Sequence, residues 1–135
     1  PLVYRFVPWL ADRNGALPGR RVGFGGREAR GVMRDWSRTA LSGRYAARGL
    51  DTDLEAALAR VEAPVHAIVP AADWYAPESS LRYLLARMPR AEARVDTMDA
   101  AALGTRADHF AWMKRPGAVA ARLSLGLPRP RSRAD

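Results

Sequence analysis

The sequence predicts an α/β fold built from parallel βαβ units. Three observations lead there. Residues 65–69, Val-His-Ala-Ile-Val, form a short apolar run suited to a buried strand. Leu81, Leu84, Leu85 and Met88 then fall on one side of a helix that Pro77 opens and Pro89 closes. Residues 93–98 next alternate Ala93, Val95 and Thr97 with Arg94, Asp96 and Met98, as a second strand does. Strands alternating with helices of this length imply a parallel sheet. A last helix is expected after Pro116, with Val119 and Leu123 turned inward. Two strands are few for such a sheet, so the chain has the texture of a large α/β fold without enough strands to complete one.

Upstream, residues 1–27 read as loop-rich, punctuated by Pro8, Asn14-Gly15, Pro18-Gly19 and Gly23-Phe24-Gly25-Gly26. Residues 28–47 predict a helix, with Val32, Trp36, Ala40 and Leu41 as its apolar stripe, Arg30, Arg34 and Arg38 on another face, and Gly43 as its end. Thr52 with Glu55 reads as a capping box ahead of a helix carrying Leu54, Ala57, Leu58 and Val61, which Pro64 stops. The tail from Pro128 has no apolar run and is expected to be disordered.

The 135 residues suffice for one ordinary domain, and 48% hydrophobic content excludes disorder along the whole chain. No run of about 18 apolar residues is present, so no membrane span is expected, and a cytoplasmic location is the default. The absence of cysteine removes disulfides, thiolate metal sites and cysteine nucleophiles, and two histidines leave little for a metal centre; no metal and no cofactor is expected. The net charge is +8, and every basic residue except Lys114 is arginine, a bias that base composition alone can produce. Residues 13–48 hold nine arginines against Glu28 and Asp35. They leave open a small basic module for nucleic acid or an acidic partner, although the scattered charge makes nucleic acid the weaker expectation. Gly23-Phe24-Gly25-Gly26 lacks the preceding strand and third glycine of a dinucleotide loop, because position 28 is Glu28.

Functional groups of parallel α/β sheets sit on loops beyond the carboxyl ends of the strands. Asp73 follows the first strand; His109 follows the second and precedes the final helix. If the strands are neighbours, both loops emerge at one edge, where the carboxylate can hold imidazole Nδ1 while Nε2 takes a proton from a nucleophile. The alternative for Asp73 is a loop cap and for His109 an ordinary loop histidine. Asp108 reads as a loop or helix cap, and His66, inside the apolar strand, as a satisfied core residue. Trp36 and Trp74 are candidates to line a substrate pocket, with core packing the competing role of Trp36.

Ala63-Pro64-Val65-His66-Ala67-Ile68, then Asp73-Trp74-Tyr75-Ala76-Pro77, then Asp108-His109-Phe110 resembles the C-terminal third of an α/β-hydrolase, nearest the predicted-hydrolase branch related to serine aminopeptidases. In that fold the acid follows a late strand, four residues before a proline, and the histidine follows the last strand. Gly31-Val32-Met33-Arg34-Asp35-Trp36-Ser37-Arg38 resembles the basic, tryptophan-containing helical segment of the family's cap. The resemblance implies a partial α/β-hydrolase fold: a helical cap over residues 1–62, then the last two parallel strands and their helices over residues 63–127. It implies Asp73 and His109 as triad acid and base, acting on an ester, amide or related small acyl substrate. The family's G-x-S-x-G serine and His-Gly oxyanion motif are absent from the sequence. Arg122-Leu123-Ser124-Leu125-Gly126 lacks the first glycine and follows the histidine, so Ser124 is rejected as nucleophile. The chain is therefore expected to need the N-terminal half of a hydrolase core as its partner, and to be inactive alone; the remaining option is a non-catalytic, hydrolase-derived interaction protein.

Overall fold

The computed structural model describes residues 2–23 and 26–126; Phe24, Gly25 and the tail expected from residue 128 lie outside these. The chain is mixed α/β and divides into two compact units, one ending at Leu58 and one starting at Ala59.

The first unit contradicts the loop-rich reading of residues 1–27. Helix α1 (Leu2–Asn14) runs through Pro8, and strands β1 (Ala16–Pro18) and β2 (Arg27–Ala29) form an antiparallel pair, with the short helix α2 (Gly19–Val22) between them. A proline inside a helix removes one N–H and frees the carbonyl four residues earlier. Here that carbonyl belongs to Tyr4, and the buried Ser37 hydroxyl from helix α3 (Arg30–Ser42) donates to it. Pro8 is thus accommodated by a neighbour that local sequence reading does not supply. The two sites should therefore be coupled. Ser37→Ala is expected to cost about 1 kcal/mol in the wild-type background. It should cost less when residue 8 is alanine, whose N–H can serve Tyr4. Urea unfolding of the four-member cycle checks this, and additivity would contradict it.

The buried face of α3 is also offset from expectation. Met33 and Ser37 are buried with Trp36 beside them, whereas Val32 and Leu41 are more than half exposed and Ala40 is exposed. Val7, Ala11, Leu17 and Met33 make the core of this unit, with Leu10 and Trp36 packed against it. Gly43, with φ of 68°, ends α3 as expected and donates its N–H to the Thr39 carbonyl. In helix α4 (Leu54–Ala59) the cap is Asp53 rather than Thr52: its carboxylate accepts from Ala56 N–H, while Glu55 accepts from the Tyr45 N–H. The helix ends at Ala59, short of Val61 and Pro64.

The second unit carries the βαβ element. Strand β3 (Val65–Pro70), helix α5 (Glu78–Leu85) and strand β4 (Ala93–Met98) follow in order, and β3 pairs with β4 in parallel, Val65 opposite Ala93 and Pro70 opposite Met98. Pro77 caps α5 in extended conformation instead of being its first turn, and Met88 lies in the turn beyond it. The region expected to be loop contains helix α6 (Ala100–Leu103), capped by Asp99, and a 3₁₀ turn at Ala111–Lys114. Helix α7 (Gly117–Gly126) starts directly after Pro116. Met98, Leu103 and Ala107 form the core, with Ile68, Trp112, Ala118 and Val119 against it, so Val119 points inward as expected.

Period-two alternation puts His66 and Ile68 of β3 on the same face as Asp96 and Met98 of β4, the face that α7 covers. The His66 side chain is 8% exposed, its Nε2 2.7 Å from Asp96 Oδ2, but its Nδ1 has no hydrogen-bond partner among the described residues, so only half of the ring is satisfied. The backbone of Gly126 lies so close that a Cβ there would overlap the ring. Arg122 Nε also reaches Asp96, at 2.8 Å, and its hydrogen bond, then that of His66, holds the Asp96 carboxyl far below its ordinary value of 3.8. A depressed folded-state value means this carboxylate contributes stability above the unfolded value and loses it as pH falls through that range. The melting-temperature gap between the wild type and Asp96→Asn should therefore be widest near pH 5 and close toward about pH 2. A gap that is constant with pH would contradict the assignment.

Candidate acid–base site

Asp73 and His109 come from the two loops that leave the carboxyl ends of β3 and β4, and the structure brings them together. Backbone hydrogen bonds set the distance. Ala71 N–H donates to the Met98 carbonyl and Ala72 N–H to the Ala107 carbonyl, each at 2.9 Å. The β3 loop is thus stitched to the end of β4 and to the segment leading into His109. Asp73 N–H folds back to the Pro70 carbonyl at 3.0 Å, turning the side chain inward.

The Asp73 side chain is 5% exposed, and its two oxygens divide the work. Oδ1 accepts from Tyr75 N–H at 3.0 Å and Ala76 N–H at 2.8 Å, the cap of a tight turn. Oδ2 lies 2.8 Å from Nδ1 of His109. Loop cap and imidazole partner, the two alternatives for this residue, are therefore both present in one side chain. A carboxylate with no donor hydrogen favours a proton on Nδ1, which leaves Nε2 with its lone pair. Nε2 has no hydrogen-bond partner among the described residues, and the His109 side chain is 36% exposed.

Asp108, next to the histidine, is a cap. Its Oδ1 accepts from Phe110 N–H at 3.1 Å and Ala111 N–H at 2.8 Å, opening the 3₁₀ turn, and Arg106 pairs with its other oxygen at 2.9 Å. The backbone bonds, from Ala111 and then Phe110, are the main reason its carboxyl is held below the ordinary value.

Aromatic rings fix the imidazole from two sides. Tyr75 lies 5.1 Å from the His109 ring, and Phe110 meets it edge-on at 4.8 Å. Neither stood out in the sequence, although each directly follows a residue already of interest or lies two positions from Asp73. Trp74 is 81% exposed and edge-on to Tyr75 at 5.4 Å, so it extends the aromatic rim outward from His109. Trp36 belongs to the first unit, where it packs on Tyr4 at 5.0 Å and on the core there; its contacts are those of a packing residue. Ser124 Oγ donates to the Ala120 carbonyl within α7 at 2.9 Å, as an ordinary helix serine does. Among the described residues no group of three or more His, Asp or Glu could hold a metal ion, and no helix is long and apolar enough to cross a membrane.

Chemically, a buried carboxylate on Nδ1 and an open Nε2 make an oriented base that can take a proton and return it. Comparison with protein-family models, curated proteins and solved structures found no match.

Proposed function

We propose that this chain carries the acid–base end of a serine hydrolase of the α/β-hydrolase type, acting on an ester, amide or related acyl substrate. The observation that carries the reading is the 2.8 Å contact between His109 Nδ1 and the buried Asp73 carboxylate, with Nε2 unpartnered among the described residues at the end of a parallel strand pair. The order of Asp73 and His109 along the chain, and the loops that bear them, agree with the resemblance to that family.

In this reading a serine from a hydrolase N-terminal half attacks the acyl carbon. His109 Nε2 takes the hydroxyl proton as the Oγ–C bond forms, and returns it to the leaving group as the bond from carbon to that group breaks. Asp73 holds the ring and stabilises the imidazolium. Water then hydrolyses the acyl-serine with the same base. The oxyanion hole, like the serine, belongs to the other half.

The test uses a p-nitrophenyl ester. This chain alone should give no turnover above buffer, whereas the chain together with its nucleophile-bearing half should hydrolyse the ester and be labelled on serine by a fluorophosphonate. Turnover by the chain alone, or equal turnover by the assembled protein with His109→Ala, would overturn the proposal.

A further inference from the structure

The first unit contains a cleft that the hydrolase reading does not use. It measures about 550 Å³ and is lined by Ala16, Pro18, Gly26, Arg20, Arg21 and Arg27, with Asn14 at its side. Strand alternation explains how the sequence makes it. Leu17 of β1 points into the core and is fully buried, so Ala16 and Pro18 face the opposite side. Arg27 pairs in register with Pro18 and shares that outer face. Small residues thus make the floor, while α2, the helix that directly follows β1, supplies Arg20 and Arg21.

The charge here is uncompensated. Among the described residues, no acidic side chain lines the cleft. Glu28 stands opposite Leu17 in register, one position round from the cleft face, and its Oε1 is already taken by Gly26 N–H at 3.0 Å. Elsewhere in the chain, arginines with an acid in reach are paired with it, as Arg34 is with Asp12 and Arg38 with Asp35. Arg20, Arg21 and Arg27 have no hydrogen-bond or ion-pair partner among the described residues, and all three are exposed. Three guanidiniums around one concavity repel one another until an anion arrives, and their planar forks match phosphate oxygens two at a time.

We propose that this cleft binds a small ligand bearing a diphosphate group. A single carboxylate or monophosphate leaves much of the +3 charge unmatched, whereas a diphosphate nearly balances it. The volume falls in the range of small-molecule sites, with room on the apolar floor for an organic group attached to the phosphates. The positive charge converges on one concavity instead of tracking along a groove, which favours a small anion over a nucleic-acid backbone.

Isothermal titration of the full chain at about 50 mM salt, with inorganic diphosphate and with ADP in separate runs, tests this. Both should bind, ADP at least as tightly if the floor receives the organic group. Arg20→Gln and Arg27→Gln should each weaken binding about tenfold, and the exposed Arg60→Gln should not change it. A readout on the wild-type chain guards against misfolded variants: diphosphate should protect Arg20, Arg21 and Arg27 from phenylglyoxal, as mapped by mass spectrometry. The proposal is overturned by no binding of either ligand at millimolar concentration. Loss of protection at these three residues, or tighter binding of a 20-nucleotide RNA than of ADP, would overturn it equally.

Discussion

If this chain supplies the base of a serine hydrolase as proposed, His109→Ala in the assembled protein is expected to lower kcat for ester hydrolysis by about 10⁴-fold, with KM changed far less. The asymmetry follows from where the ring acts. In the proposed mechanism His109 moves a proton only as the serine attacks and the leaving group departs, so its loss would be felt in the transition state and not in ground-state binding. The aromatic neighbours sharpen the comparison. Phe110→Leu keeps the imidazole and its carboxylate while removing the edge-on contact at 4.8 Å, and should cost no more than about tenfold. Steady-state kinetics of the two variants separate a reacting group from a packing one. Similar losses in both would mean that His109 matters for the loop's shape and not for its Nε2.

The second large effect concerns Asp73, where two substitutions should part company. Asp73→Ala removes the acceptor for Tyr75 N–H and Ala76 N–H together with the partner of His109, all at a side chain that is almost fully buried. Hydrogen bonds to a charged group contribute about 1.5–3 kcal/mol each, and the loop can recover some of them through water, so a loss near 3 kcal/mol is expected in urea unfolding. Asp73→Asn keeps an oxygen for the turn and should cost about 1 kcal/mol. Its amide, however, presents N–H toward Nδ1 and so favours the wrong imidazole tautomer. Hydrolysis by the proposed assembly should fall about 10⁴-fold with the fold intact. If Asp73 only capped its loop, the asparagine variant would keep its activity, and the pairing of high stability with low rate would not appear.

The second unit was far more legible in the sequence than the first. Residues 65–69 and 93–98 announced strands because burial and alternation are local signals, and the Pro77 and Pro89 breaks framed the helix between them. The loop placement of Asp73 and His109 then followed from topology. Their 2.8 Å contact did not follow from pattern alone; it depends on the Ala71–Met98 and Ala72–Ala107 backbone bonds, which no side chain encodes. In the first unit, Pro8 masked a helix whose stability rests on Ser37, a residue 33 positions from the Tyr4 carbonyl it serves. The stripe of α3 was misplaced for the same reason. Hydrophobicity favoured Val32 and Leu41, while the tertiary partner buried Met33 and a serine instead. Short helices such as α6 escaped because four residues carry too little periodicity to register. The sequence showed nine arginines scattered over residues 13–48, and only the register of β1 and β2 put Arg27 on the outer face with Pro18.

The imidazole tautomer of His109 tests the account most directly, and the chain by itself suffices. In long-range ¹H–¹⁵N correlation spectra above pH 8, the neutral His109 ring should carry its hydrogen on Nδ1, donated to Asp73, with an unprotonated Nε2. Asp73→Asn should switch it to the Nε2–H form. A His109 ring that is already Nε2–H in the wild type would contradict the account, because the nitrogen meant to take the serine proton would already hold one.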